Sequence, residues 1–146
     1  GPGWLAAIKN PEIRAVVAYE PGSGFIFPAG EVPEPLETTS PFGALAGREI
    51  ALEDFQKLTK IPIVIYYGDN IPAVPTAEWN KDNWRVRLQM ARLFADAVNR
   101  HGGDAAVVHL PEIGIKGNTH FPFADMNNQE IAVLLEKWLH EKKLDI

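Results

Sequence analysis

The sequence predicts an α/β fold with a parallel sheet, and three observations carry that expectation. Three short apolar runs, at 13–19, 61–67 and 105–110, alternate with helical patterns in the order helix, strand, helix, strand, helix, strand, helix. That order is the signature of right-handed crossovers between parallel strands. The first run is almost continuously apolar instead of alternating, the pattern of a strand covered on both faces. Each run is also closed by a turn-rich segment bearing polar residues, which a parallel sheet would gather at one edge.

Each element follows from local chemistry. Residues 4–10 read as the end of a helix stopped at Asn10-Pro11, because a residue before proline is pushed out of the α region. The strand 13–19 comes next and ends at Glu20. Between 21 and 47, ten of 27 residues are Gly or Pro, which argues against regular structure over most of that span. Phe25, Ile26, Phe27, Leu36, Phe42 and Leu45 give it apolar anchors, so a packed, lid-like excursion or pocket wall is expected. Residues 51–60 form a short helix with Leu52, Phe55 and Leu58 on one stripe. The second strand, 61–67, is closed by Gly68-Asp69-Asn70, and a loop containing Trp79 follows. Trp84, Leu88, Ala91, Ala95 and Val98 mark a helix over 83–100, stopped by His101-Gly102-Gly103. After the third strand, Asn127 or Asn128 caps a last helix with Ile131, Leu134, Leu135, Trp138 and Leu139 on its buried face.

Composition removes several function classes. At 146 residues and 46% hydrophobic content, the chain is of single-domain size and can bury a substantial core. A net charge of -5 and the lack of any Lys/Arg cluster argue against a nucleic-acid partner. With no cysteine, disulfides and thiolate chemistry are excluded. No stretch is long and apolar enough to span a membrane. No histidine pair has metal-ligand spacing, Asp125 with Asn127 and Asn128 reads as a helix start, and neither a metal nor a cofactor is expected. His101 reads as a helix C-terminal residue, His140 as surface, and His109 as a buried histidine at a strand end.

The residues with chemical potential are Glu20, Asp69 and His120. The first two end strands, and His120 lies ten residues past the third, within the Gly-broken segment 114–120. Neighbouring strands are about 4.8 Å apart, so a loop bearing an imidazole can reach a carboxylate one or two strands away. An imidazole can take the proton from a weak hydroxyl nucleophile, and a carboxylate fixes its tautomer and stabilises the imidazolium. Each residue also has a plainer role open to it. His120 can fill a loop, Gly-Asp-Asn is ordinary turn chemistry, and Glu20 before Pro-Gly can be a solvated strand end. Tyr66, Tyr67, Phe121 and Phe123 are candidates for an acyl pocket or, equally, for core.

The run 16–24, Val-Val-Ala-Tyr-Glu-Pro-Gly-Ser-Gly, with 110–120, Leu-Pro-Glu-Ile-Gly-Ile-Lys-Gly-Asn-Thr-His, resembles the later half of bacterial α/β-hydrolase esterases. The resemblance covers the whole chain, 1–146, as the C-terminal part of a single domain, with the three strands corresponding to strands six to eight of that sheet. It implies His120 as general acid/base and Glu20 as its orienting acid. Asp69 occupies the place of the acid that is commoner in the superfamily, and so stands as the alternative. It further implies a small-molecule ester substrate, with Phe25, Tyr67 and Phe121 as substrate-binding candidates.

The chain departs from the family pattern in its nucleophile. The expected Gly-x-Ser-x-Gly elbow on a strand-to-helix turn is missing, since the two serines are Ser23 and Ser40, and Gly22-Ser23-Gly24 has the wrong glycine spacing. The resemblance therefore puts the nucleophile just upstream of Gly1, which makes an N-terminal half of the same protein the expected partner. The first strand's bare apolar edge gives a second reason to expect preceding strands. Alone, such a portion is expected to be inactive and poorly soluble. A noncatalytic α/β module that binds a small ligand or partner, and a lactonase or thioesterase with the same triad, remain alternatives. Homo-oligomer formation and the compartment, cytoplasmic or exported, are left open by the sequence.

Overall fold

In the computed structural model, which describes residues 2–145, three parallel strands form a sheet with helices on both faces. In chain order the elements are α1 (Pro2–Lys9), β1 (Val16–Tyr19), β2 (Ile26–Pro28), β3 (Arg48–Ile50), α2 (Leu52–Gln56), β4 (Pro62–Tyr67), α3 (Trp79–Arg100), β5 (Asp104–His109) and α4 (Asn128–Glu141). The sheet order is β1-β4-β5, with Val16 opposite Ile63 and Ile63 opposite Ala105. This mixed α/β architecture agrees with the sequence expectation, and β4 is the central strand among the described residues.

Alternation along β4 divides the core. Ile63, Ile65 and Tyr67 pack toward α1 and α3, whereas Val64 and Tyr66 pack toward Ile131 and Trp138 of α4. Phe94 anchors the first side, with ring centres of Trp4, Phe25, Phe27 and Phe55 between 4.8 and 6.5 Å from its own. Phe94 is fully buried, and its truncation to alanine would cost about 3–5 kcal/mol through lost transfer energy and the cavity left behind.

Several sequence expectations need correction. The first strand starts at Val16, not Ile13; Val16 pairs with Ile63, and β4 begins one residue earlier at Pro62, so Ile13 and Arg14 have no strand residue opposite them. The excursion 21–47 is not wholly irregular. Its Ile26–Pro28 segment pairs in parallel with Arg48–Ile50, and Leu36 bridges Leu45. Of its expected anchors, Phe42 is exposed and rests edge-on against Trp79. Leu52 is exposed as well, since α2 spans five residues before a 3-10 turn over Lys57–Lys60 and buries only Phe55 and Leu58. The long helix α3 starts at Trp79, four residues ahead of expectation. Asn127 precedes α4 but makes no capping bond, because its side chain is committed to Asn118.

Candidate active site

The three sequence-singled residues meet at the C-terminal edge of the sheet, where Glu20, Asp69, Trp84, Thr119 and His120 share the wall of a cleft of about 240 Å³. Glu20 follows β1 with a φ of 46°, a conformation uncommon for a residue with a side chain. Its N–H donates to the Tyr66 carbonyl at 2.8 Å, so pairing with β4 runs one residue beyond the strand. That kink turns the carboxylate inward, leaving its side chain 3% exposed.

His120 reaches Glu20 because its loop folds back across the end of β4. The Asp69 N–H donates to the Asn118 carbonyl at 2.9 Å, and the Asp69 carboxylate accepts the Gly117 N–H at 2.9 Å. Gly68 makes room for this crossing, since a Cβ there would stand 2.8 Å from the Thr119 carbonyl oxygen and 2.9 Å from that of Asn118. Such contacts fall on backbone that cannot swing aside, so only glycine fits. The far side of the loop is fixed by buried Asn118, which exchanges amide hydrogen bonds of 2.7 and 2.8 Å with Asn127 and donates to Asp125. Asp125 also accepts from the Thr119 N–H and hydroxyl, each at 2.8 Å.

The result is an imidazole–carboxylate pair. His120 Nδ1 lies 3.4 Å from Glu20 Oε2, with the ring side chain 43% exposed. Oε2 is buried and makes no hydrogen bond at this separation, so the pair is in contact without being locked. Among the described residues, Glu20 is the carboxylate within ion-pair distance of His120, and Asp69 is not. The Asp69 carboxylate is occupied by backbone donors at Gly117 and Asn70, which hold its carboxyl below the usual range.

Burial opposes charge on both members of the pair. It pushes the Glu20 carboxyl up to about 7, against the Gly68 N–H that pulls it down; the charge of Asp125 adds to the rise and Arg87 opposes it. For His120, burial and then the nearby Arg87 charge hold the ring below its ordinary value. The ring is flanked by Trp84, 4.1 Å away between centres, and by Phe121 at 4.8 Å.

Of the aromatic candidates, Phe121 is exposed beside His120 at the cleft mouth. Phe123 is exposed and meets Phe121 and Tyr19 edge-on, while Tyr66 is buried and stacked on Tyr19. Phe25 and Tyr67 do not line this cleft, and both are fully buried. Phe25 stacks on Trp4 in the core, because the chain turns inward just after Gly24. The Tyr67 hydroxyl donates to the Pro21 carbonyl at 2.7 Å, tying the turn after Glu20 to β4. Sequence reasoning missed Gly68, Arg87 and Asn118 and took Trp84 only as helix stripe. The usable signal was Trp84 and Arg87 three apart on α3, one helical turn, which puts them on one face.

The remaining histidines lie apart from the pair. His101 Nε2 meets Glu31 at 2.8 Å, and His140 is exposed beside Asp145. His109 ends β5, with Nδ1 3.4 Å from Glu112 and Nε2 buried. Among the described residues no group of three His, Cys, Asp or Glu side chains is placed to hold a metal ion, and no helix is long and apolar enough to cross a membrane.

The fold and cleft define a mixed α/β protein whose mostly parallel sheet presents an acid–imidazole pair at its strand ends. The chain is similar to a solved structure described as "The Atomic Resolution Structure of a Novel Bacterial Esterase", with 30% sequence identity and a TM-score of 0.65. The match takes in 94% of this chain and 34% of that one, so the chain spans about a third of the esterase's length and has an esterase-like fold. No protein-family model matches the chain, and no curated protein matches it.

Proposed function

We propose that this chain is the acid- and histidine-bearing portion of a serine hydrolase of the α/β-hydrolase type that cleaves small carboxylic esters. The observation that carries the reading is the contact of Glu20 with His120 at 3.4 Å on the C-terminal edge of a parallel sheet. Likeness to a bacterial esterase over 94% of the chain supports it. The nucleophilic serine is supplied by a segment upstream of Gly1. Ser23 and Ser40 both lie in the irregular stretch after β1, away from any strand-to-helix turn, and the esterase's length is about three times what this chain spans. The outer edge of β1, unpaired among the described residues, is the natural dock for that segment's strands.

In this reading Glu20 faces Nδ1 and so leaves Nε2 for the serine hydroxyl. His120 takes the hydroxyl proton as oxygen attacks the acyl carbon, and Glu20 stabilises the imidazolium. The ring then returns the proton to the departing alcohol. Water repeats the sequence on the acyl-enzyme. The excursion 21–47 forms a pocket wall beside the cleft, where Phe42, Ala44 and Leu45 line a depression of about 240 Å³ with Gly22, Asn83 and Arg87. Reaction with a fluorophosphonate probe tests the reading. The protein that carries this chain with its upstream segment should be labelled at one serine, and labelling should fall when His120 is replaced by alanine. An unlabelled, folded protein would favour a noncatalytic binding module.

A further inference from the structure

Arg87 projects from α3 with its guanidinium carbon 4.3 Å from the centre of the Trp84 ring, and that ring is 4.1 Å from the His120 ring. It lies beside Gly22, two residues past Glu20, where a Cβ would stand in ordinary van der Waals contact, 3.5 Å from the guanidinium carbon. The Arg87 carbonyl is 3.3 Å from the Tyr67 hydroxyl, which in turn bonds to Pro21. The helix is thereby fixed against the turn that bears Glu20. Among the described residues no carboxylate stands within ion-pair distance of Arg87, so its charge acts on the cleft without local neutralisation.

We propose that Arg87, seated on Trp84, is a positioning residue that holds the catalytic pair in its working charge state, with Glu20 ionised and His120 neutral. This rests on the hydrolase reading above. The groups facing Glu20 are His120 and Asp125 from the 114–127 loop, Tyr67 and the Gly68 N–H from the end of β4, and Arg87 from α3. Asp69 and Lys81 complete the charged lining of the cleft. Asp125 works against ionisation of Glu20, and Arg87 works for it. The same cation disfavours a proton on His120 before substrate arrives. A single charge thus biases both members toward the form that can accept a proton from serine, and a proton taken up by the pair belongs to both. Trp84 sets the spacing, sharing its π-face with the guanidinium while bounding the imidazole.

The test compares Arg87→Gln and Arg87→Lys with the parent in the protein that includes the upstream segment. The His120 ring resonances are followed by NMR against pH, and kcat and KM are measured on a short-chain chromogenic ester. Arg87→Gln should move the His120 titration to higher pH and shift the acid limb of kcat in the same direction. At neutral pH kcat should fall threefold or more with KM little changed, and Arg87→Lys should restore the limb. A Gln variant whose His120 titration and acid limb stay in place overturns the proposal, even if activity drops. The NMR arm does not need turnover, so failure of the esterase reading would leave a result on Arg87 still legible.

Discussion

Glu20 and His120 touch at 3.4 Å without a hydrogen bond, the carboxylate sealed from solvent and the ring open to the cleft. A buried carboxylate with an unsatisfied oxygen is costly to keep ionised. That cost makes the pair visible in stability.

The stability consequence has a definite sign. Glu20 titrates near 7 in the folded chain, above its ordinary value of 4.5, so between those values the folded state holds a proton that the unfolded state has lost. Stability therefore falls as pH rises through this window. Replacing Glu20 with glutamine removes the titration, so the variant should gain on the parent above pH 7, by a figure of the order of 3 kcal/mol, and lose that advantage near pH 4. Urea unfolding of parent and Glu20→Gln at pH 4.5 and 8 measures it. An equal difference at both values would show that burial does not raise the Glu20 carboxyl.

Gly68→Ala should damage the site more than the fold. The added methyl would meet the Thr119 and Asn118 carbonyls, forcing the loop that carries His120 away from β4. It also disturbs the N–H that Gly68 offers Glu20. In the protein with its upstream segment, the proposed ester hydrolysis should drop by about 10²-fold or more, since a misplacement of about 1 Å is enough for that. The circular dichroism spectrum should remain close to that of the parent. Parent-like turnover would mean that the loop accommodates the methyl and that its crossing does not position His120.

Asp82 is the fastening of the 21–47 excursion. It is fully buried, pairs with Arg85 at 2.7 Å, and accepts the backbone N–H groups of Thr39 at 2.9 Å and Thr76 at 3.1 Å. Arg85, then the two backbone donors, hold its carboxyl well below the usual range. Its contribution is present above the unfolded value of 3.8 and is lost as pH falls below it. Asp82→Ala leaves the Thr39 and Thr76 N–H groups without their acceptor and Arg85 without its carboxylate, a loss of about 3 kcal/mol at neutral pH. Denaturant unfolding should show that deficit, and limited proteolysis should cut first within 36–45. An unchanged midpoint would remove Asp82 from this role.

Much of the architecture was legible because it rests on short-range pattern. Apolar runs gave the three sheet strands, and the 3.6-residue stripe from Leu88 to Val98 gave the buried face of α3. The Gly/Pro density after Glu20 concealed the β2–β3 pairing, because a three-residue strand leaves no periodicity to detect. The core position of Phe25 was hidden for a related reason. Its distance in sequence from Glu20 is short, yet the turn at Gly24 sends it into the core against Trp4 and Phe94.

The site was only partly legible. Glu20, Asp69 and His120 stood out by chemistry and by position at strand ends, but which carboxylate faces the imidazole depends on the path of the 114–120 loop. That path is set by Asp69 gripping the Gly117 N–H, by the missing Cβ at Gly68, and by the Asn118–Asn127 amide pair. These are long-range contacts, and no local spacing encodes them.

The central claim is that Glu20, and not Asp69, serves His120. The most direct measurement is kcat/KM for a short-chain chromogenic ester, in the protein with its upstream segment, for His120→Ala, Glu20→Gln and Asp69→Asn. The account predicts losses of about 10²–10⁴-fold for the first two and a smaller one for Asp69→Asn, whose amide can still accept from the Gly117 N–H. A loss at Asp69 as large as at His120, with Glu20→Gln near parent activity, would contradict it and move the acid to β4.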